Sequence, residues 1–213
     1  MRVEPMSEDS VAAEVFGPDM PDSAAMDGAA EDAALSTVDY TIELYLDEIS
    51  ERTQRAWDNA LAAMRAQNWA QAELEFETVI AEEPGLPGPY VNLALIYKQD
   101  GRTNEMRAAL EQAIAIAPEF APANNELGLL LRERGEFDAA EAAYRNALAG
   151  DPGNALAHLN LGILLDLYLK RSGEALEHYT AYQTSRVEPD EVVARWIVDL
   201  ERRVRAAERV AAD

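Results

Sequence analysis

The sequence predicts an all-α solenoid of about four helix-turn-helix units, and three observations carry that expectation. Pro84, Pro118 and Pro152 stand 34 residues apart. On that register Gly101 falls on Gly135, Leu93 on Leu127 and Leu161, and Phe76 on Leu110 and Tyr144. Between these marks Ala and Leu dominate, with apolar residues at helical spacing rather than in strict alternation. One helical hairpin cannot cover its own apolar face, so hairpins repeating at this period must stack.

The elements follow in chain order. Residues 1–36 are Ala, Asp, Glu, Ser, Gly, Pro and Met, with one aromatic, Phe16, and no periodic apolar pattern. Such a segment buries too little surface to offset its ordering entropy and reads as a disordered acidic tail. Residues 37–52 form an N-terminal extension with two readings. Val38, Tyr40, Ile42, Leu44 and Leu46 alternate as in a strand. Ile42, Leu46, Ile49, Thr53, Trp57, Ala60 and Met64 instead recur at three- and four-residue steps, and no Gly or Pro lies between residues 29 and 84. The expectation is one long helix from about 39 to 66 that caps the array. The alternative docks this segment in a groove as an extended peptide.

Four units are expected, at 53–86, 87–120, 121–154 and 155–186. Unit one is degenerate, with Asn59 and Ala63 where large apolar residues belong. Gly101 and Gly135 follow first helices and suit the left-handed residue past a helix end. Each proline follows a second helix that it cannot continue. Ala94, Gly128 and Gly162 are small enough for close approach, expected opposite Ala140 and its column-mates Ala72 and Met106. Unit four needs one extra residue before Gly173 to bring Ala175 and Tyr179 into their columns. Residues 187–213 supply a capping helix over about 190–210. Val193, Trp196, Ile197, Leu200, Val204 and Ala207 line one face, with Arg195, Arg202, Arg203, Arg205 and Arg209 on the other.

The run NELGLLLRERGEFDAAEAAYRNALAGDP, residues 125–152, resembles the tetratricopeptide repeat, and the resemblance extends over roughly residues 53–185. It implies a right-handed solenoid whose concave groove is lined by the second, fifth, sixth, ninth and twelfth positions of each first helix. Carried onto this chain, those positions supply Trp57, Leu61 and Met64; Val91, Asn92, Leu95 and Lys98; Asn125, Leu129 and Arg132; and Leu159, Asn160, Ile163 and Asp166. That is an apolar floor carrying three asparagines and two bases. Asparagine amides give and take hydrogen bonds with an extended backbone, and apolar floors also accept amphipathic helices. The fifth-position residues Trp57, Val91, Asn125 and Leu159 include no lysine, which argues against the family's clamp for a terminal carboxylate. The implied function is a noncatalytic adaptor holding a peptide or helix of another protein, with an assembly or secretion chaperone as the alternative. The run VARWIVDLERR, residues 193–203, is similar to bacterial cell-envelope repeat proteins, often lipoproteins.

Composition excludes several classes. The 213 residues carry 40 acids against 18 Lys and Arg, a net charge of −22, and no cysteine. Such acidity disfavours nucleic acid and anionic lipid surfaces. Without cysteine there is no disulfide framework, zinc ribbon or thiolate chemistry. Residues 1–50 hold thirteen acids and only Arg2, a net −12, leaving −10 for the rest. The densest apolar runs, Leu127–Leu131 and Leu161–Leu165, fall far short of the roughly 20 residues that span a bilayer. The expected compartment is the cytoplasm as written, or the periplasm if Met1 replaces a removed signal segment; the expected oligomeric state is a monomer or weak dimer. His158 sits in the repeat column of Tyr90, a packing position, while His178 and Glu174 share a spacing that could hold a metal with a third ligand, which the sequence does not supply. No phosphate loop or nucleophile elbow is present, so no cofactor, metal or enzymatic activity is expected.

Overall fold

Among the described residues, helix formation starts at Ser50. In the computed structural model, which describes residues 49–212, the Ser50 hydroxyl accepts the Thr53 amide at 3.1 Å in the N-cap manner. Ser50 is extended, with φ −66° and ψ 150°, and α1 spans Glu51–Arg65. The expected helix over 39–66 is therefore interrupted at Ser50, because the hydroxyl competes for the amide that a continuous helix would use. The rest of the 37–48 reading, and the tail over 1–36, lie outside the described residues. Glu82 reinforces this start from the far end of α2 (Trp69–Glu82): its carboxylate accepts Thr53 Oγ1 at 2.8 Å and pairs with Arg52 at 2.9 Å.

The array continues as α3 (Pro87–Gln99), α4 (Thr103–Ile116), α5 (Ala121–Glu133), α6 (Phe137–Gly150), α7 (Ala155–Ile163), a π-helical turn at Leu164–Tyr168, α8 (Ser172–Thr184) and α9 (Glu191–Ala212). The described residues form no strands. Each odd helix pairs with the even helix after it, and each even helix packs on the next odd one. The chain is an all-α solenoid, as the proline register predicts.

The turns inside each pair share one chemistry. Gly101 and Gly135 have φ of +68° and +75°. In units one and four Gln67 and Lys170 occupy the same place at φ +56°, a conformation that costs a side-chain-bearing residue about 1 kcal/mol or more. The amide after each left-handed residue reaches back five positions: Asn68 to Ala63 at 2.8 Å, Arg102 to Tyr97 at 2.8 Å, Glu136 to Leu131 at 2.9 Å. In unit four the equivalent bond, Arg171 to Leu165 at 2.8 Å, spans one residue more. The π-helical turn absorbs that residue, closing with the Leu169 amide on the Leu164 carbonyl at 3.0 Å.

The core is a column of large side chains from the second helices set against small ones from the first. Phe76, Leu110, Tyr144 and Tyr179 are fully buried, at about 1.5–3 kcal/mol of transfer free energy apiece. A Cβ on Gly128 would lie 2.5 Å from the Tyr144 ring, and one on Gly162 would lie 2.7 Å from Tyr179. The glycines thus make room for the rings of Tyr144 and Tyr179. Trp57 meets Phe76 edge-on at 5.4 Å, which gives unit one a core despite its poor match to the repeat.

Ion pairs tie successive units together. Arg102 at the start of α4 reaches back with Nη1 3.0 Å from both oxygens of Glu73 on α2, and Arg171 reaches Glu141 on α6 at 2.7–2.8 Å. At the middle junction the signs exchange: Arg107 stands in the column of Glu73 and Glu141, and Glu136 in that of Arg102. At the far end α9 buries Val193, Trp196 and Leu200 against α8, with Trp196 5.5 Å from the Tyr179 ring. The basic face expected of α9 is not uniform. Arg203 turns inward and grips Asp166 with Nη2 at 3.0 and 3.1 Å, while Arg195, Arg202, Arg205 and Arg209 remain exposed. No helix among the described residues is long and apolar enough to cross a membrane.

Candidate protein-binding face

The first helices α1, α3, α5 and α7 supply the expected groove residues. α3 touches α5 and α5 touches α7, so their fifth to twelfth positions form adjacent columns. Trp57, Leu61, Met64 and Val91 belong to the main core cluster, where their side chains pack between helices. Asn92, Asn125, Leu129, Arg132, Leu159, Asn160 and Ile163 are also buried, as is Asp166; Leu95 and Lys98 keep intermediate exposure.

Buried polar groups mark this face off from an ordinary helical interior. Asn92, Asn125, Glu126, Arg132, Asn160 and Asp166 are each at most 5 % exposed, and all lie at fifth, sixth or twelfth positions of first helices. Burying an amide without a partner costs about 1–3 kcal/mol, so polar groups persist there only when they bond or await a ligand. Asn160 donates through Nδ2 to Asn125 Oδ1 at 2.9 Å, linking α7 to α5. Its own Oδ1 meets no donor among the described residues. Burial raises the Asp166 carboxyl above its ordinary range despite the opposing pull of Arg203 and Lys170.

The histidines take a different arrangement from the one their spacing suggested. His178 pairs with His158, not with Glu174: the two Nδ1 atoms are 2.9 Å apart. Because His158 Nε2 faces the Pro152 carbonyl at 3.1 Å and must donate there, His158 Nδ1 accepts from His178 Nδ1–H. Burial, His158 and Arg145 lower the His178 pKa to about 4, so that His178 is neutral near pH 7. Glu174 is held by Arg171 at 2.6 Å and Arg145 at 3.2 Å. No group of three or more metal-ligating side chains occurs among the described residues. A shallow depression of about 670 Å³, lined by His158 and Pro152 together with Leu176, Glu177, Thr180 and Thr184 of α8, gathers no reactive set.

Sequence reasoning overlooked one contributor, Arg203. Its signal was available in the Asp199–Arg203 step of four residues, which stretches the guanidinium along α9 with a 2.9 Å bond toward Asp199. What the sequence could not show is that α9 lies close enough to the π-helical turn for the same side chain to reach Asp166.

Comparison with known proteins adds to this geometry. Residues 88–120 match the family model "Tetratricopeptide repeat" and residues 128–165 the model "TPR repeat". None of the curated proteins matches the chain. Among solved structures, PilF of Pseudomonas aeruginosa superposes with a TM-score of 0.63 at 19% identity, over 73% of this chain and 70% of that one. MamA of Desulfovibrio magneticus RS-1, from its residue 41 onward, gives 0.59 at 13% identity, over 76% and 91%. The TPR domain of Arabidopsis OM64 gives 0.50 at 19% identity, over 55% and 96%. At these identities the likeness is one of fold.

Proposed function

Starting from a chain built of tetratricopeptide repeats, modules that serve protein–protein interaction, we propose that it is a noncatalytic adaptor that holds a peptide or helix of another protein across the first-helix face. The observation that carries this reading is the asparagine series on that face, Asn92, Asn125 and Asn160, set among Leu95, Leu129 and Ile163. The amides address a backbone and the apolar side chains address alternate residues of whatever lies there, a combination suited to a chain and not to a small polar metabolite. Asn160 Oδ1, buried and met by no donor among the described residues, suits a donated backbone N–H.

A narrower form places this adaptor in the assembly of a bacterial envelope complex. The 193–203 run supports it, and the same residues act here as the core of the capping helix. An assembly or secretion chaperone would use the same face to shield an apolar client segment until delivery. The two differ in lifetime: an adaptor's partner co-purifies at steady state, whereas a client leaves once delivered.

The test is affinity capture with the full chain. Leu95→Glu combined with Leu129→Glu should abolish recovery of the co-purifying protein while far-ultraviolet circular dichroism stays helical. Lys98→Glu, at a more exposed position, should weaken recovery without touching the core. Unchanged recovery with both proteins folded would remove the first-helix face from the mechanism.

A further inference from the structure

The chain has two histidines, and the fold brings both to one point. His158 stands on α7 and His178 on α8, 20 residues apart, with their Nδ1 atoms at 2.9 Å. The ring centroids are 5.1 Å apart, which is that separation plus one ring radius at each end. The two nitrogens therefore lie on the line joining the rings, and their lone-pair directions oppose each other. The rings are tilted 39° from parallel planes, a twist to which bonding along that line is indifferent. The adaptor reading makes no use of this pair.

His158 is held as a ligand is held. Its Nε2–H donates to the Pro152 carbonyl at 3.1 Å, which fixes the tautomer and leaves the Nδ1 lone pair facing His178. Metal-binding histidines are oriented by the same kind of bond from their other nitrogen. Both side chains are half-buried, and His158 lines the depression of about 670 Å³, which opens a route from solvent. No carboxylate completes the pair: Glu174 is held by Arg171 and Arg145, and no group of three metal-ligating side chains occurs among the described residues. Zinc takes four ligands, and magnesium and calcium take six or more oxygens. Two opposed imidazoles suit instead an ion satisfied by two nitrogens in line, the habit of Cu(I) and Ag(I), and imidazole is a ligand for copper. Charge selects the same class. Arg145 acts on His178, offset by Glu174 and Glu141, so one added positive charge meets half the repulsion of two.

We propose that His158 and His178 form a two-coordinate site for a soft monovalent metal ion, Cu(I), which enters between the two Nδ1 atoms and ties α7 to α8. Two metal–nitrogen bonds of about 2 Å in line span about 4 Å, so the rings part by about 1 Å from their present 2.9 Å. Rotation of either side chain about χ1 and χ2 supplies that opening. The proton that His178 carries on Nδ1 moves through water to its own Nε2, so uptake near neutral pH releases none. The ion binds the folded chain and not the unfolded one, and so stabilises unit four, the unit that carries the π-helical turn. The proposal is independent of the adaptor reading.

The experiment titrates the full chain, labelled with ¹⁵N, with Ag(I) as a redox-inert probe in chloride-free buffer, and then with Cu(I) under ascorbate without oxygen. With two histidines in the chain, every imidazole signal is assignable. Both Nδ1 resonances should move together and saturate at one ion per chain, and the midpoint of thermal unfolding should rise. His158→Gln and His178→Gln should each weaken binding roughly tenfold or more and erase that rise. Zn(II) should bind roughly tenfold or more below Ag(I), since it lacks two of its four ligands. Nδ1 resonances unmoved at one equivalent would overturn the proposal and assign any bound ion to the six methionines. Zn(II) matching Ag(I) would overturn it in favour of a four-ligand site, and one ion per two chains in favour of a site shared between copies. Full affinity in both variants would overturn it as well. The imidazole spectrum of the unaltered chain decides the matter even where a variant does not fold, and the adaptor reading is judged separately, by Leu95→Glu with Leu129→Glu.

Discussion

Gly128 has no side chain where Tyr144 has its ring. Placing alanine there would ordinarily strengthen a helix by about 1 kcal/mol. Here the new methyl would lie 2.5–2.9 Å from three ring atoms, and overpacking of a closed core costs about 1–3 kcal/mol. Overpacking wins because Tyr144 is fully buried, among neighbours that leave the ring little room to yield. Gly128→Ala should therefore lower stability in chemical denaturation. The repeat contains its own remedy: unit two carries Ala94 and Leu110 in the same two columns. Gly128→Ala with Tyr144→Leu should be more stable than the sum of the single losses by 1 kcal/mol or more. Strict additivity would mean that the glycine serves something other than this contact.

At the scale of elements, most of the array is legible because the repeat presents each feature several times. One glycine after one helix is weak evidence, whereas Gly101 and Gly135 34 residues apart, with φ of +68° and +75°, identify a turn that Gln67 and Lys170 then fill without the glycine. The extra residue of unit four was visible in the columns of Ala175 and Tyr179; its form, a π-helical turn at Leu164–Tyr168, was not, since a loop insertion would shift the columns equally. The helix proposed over 39–66 misjudged Ser50, because an apolar stripe outweighed a capping signal that rests on a single hydroxyl and its partner Glu82, 32 residues away. A deletion tests whether the π-turn merely stores the insertion. Removing Leu167 should restore the spacing of units two and three, keep cooperative thermal unfolding, and change stability by no more than about 1 kcal/mol, since one wide turn becomes an ordinary one. Removing Leu131 from α5, which has no surplus residue, should cost several times more through loss of core register. Equal damage from both deletions would show that the wide turn is needed for packing against α8.

At the scale of the whole molecule, charge separates into parts with different work. Just over half of the −22 belongs to residues 1–50, while the repeat region spends much of its charge on links between units. These links were hard to foresee, since each joins residues about 30 apart whose facing depends on how units stack. The candidate face was legible as a set of columns, but the depth of its polar groups was not, because burial follows from neighbouring helices and not from spacing. The clearest case is Asp166, 1 % exposed in the π-helical turn after α7 and gripped by Arg203 from the capping helix. Deleting one member of such a pair strands the other, at about 3 kcal/mol, so Arg203→Met should destabilise the chain clearly even though methionine preserves the apolar stem. The pH dependence then separates charge from packing. Burial holds the Asp166 carboxyl above its unfolded value, so the folded state takes up its proton first and stability falls as pH rises through that range. Losing Arg203 removes a lowering influence and pushes the carboxyl higher still. The deficit of Arg203→Met should be largest near neutral pH and shrink as acidification protonates the Asp166 carboxyl. Below that, Glu141 and Glu174, whose pKa values are lowered by their arginines, begin to lose their own stabilisation. Adding Asp166→Asn should recover most of the loss and abolish its pH dependence, because a neutral amide does not need the guanidinium. A deficit that is flat with pH and untouched by Asp166→Asn would show that Arg203 closes the solenoid through its stem alone.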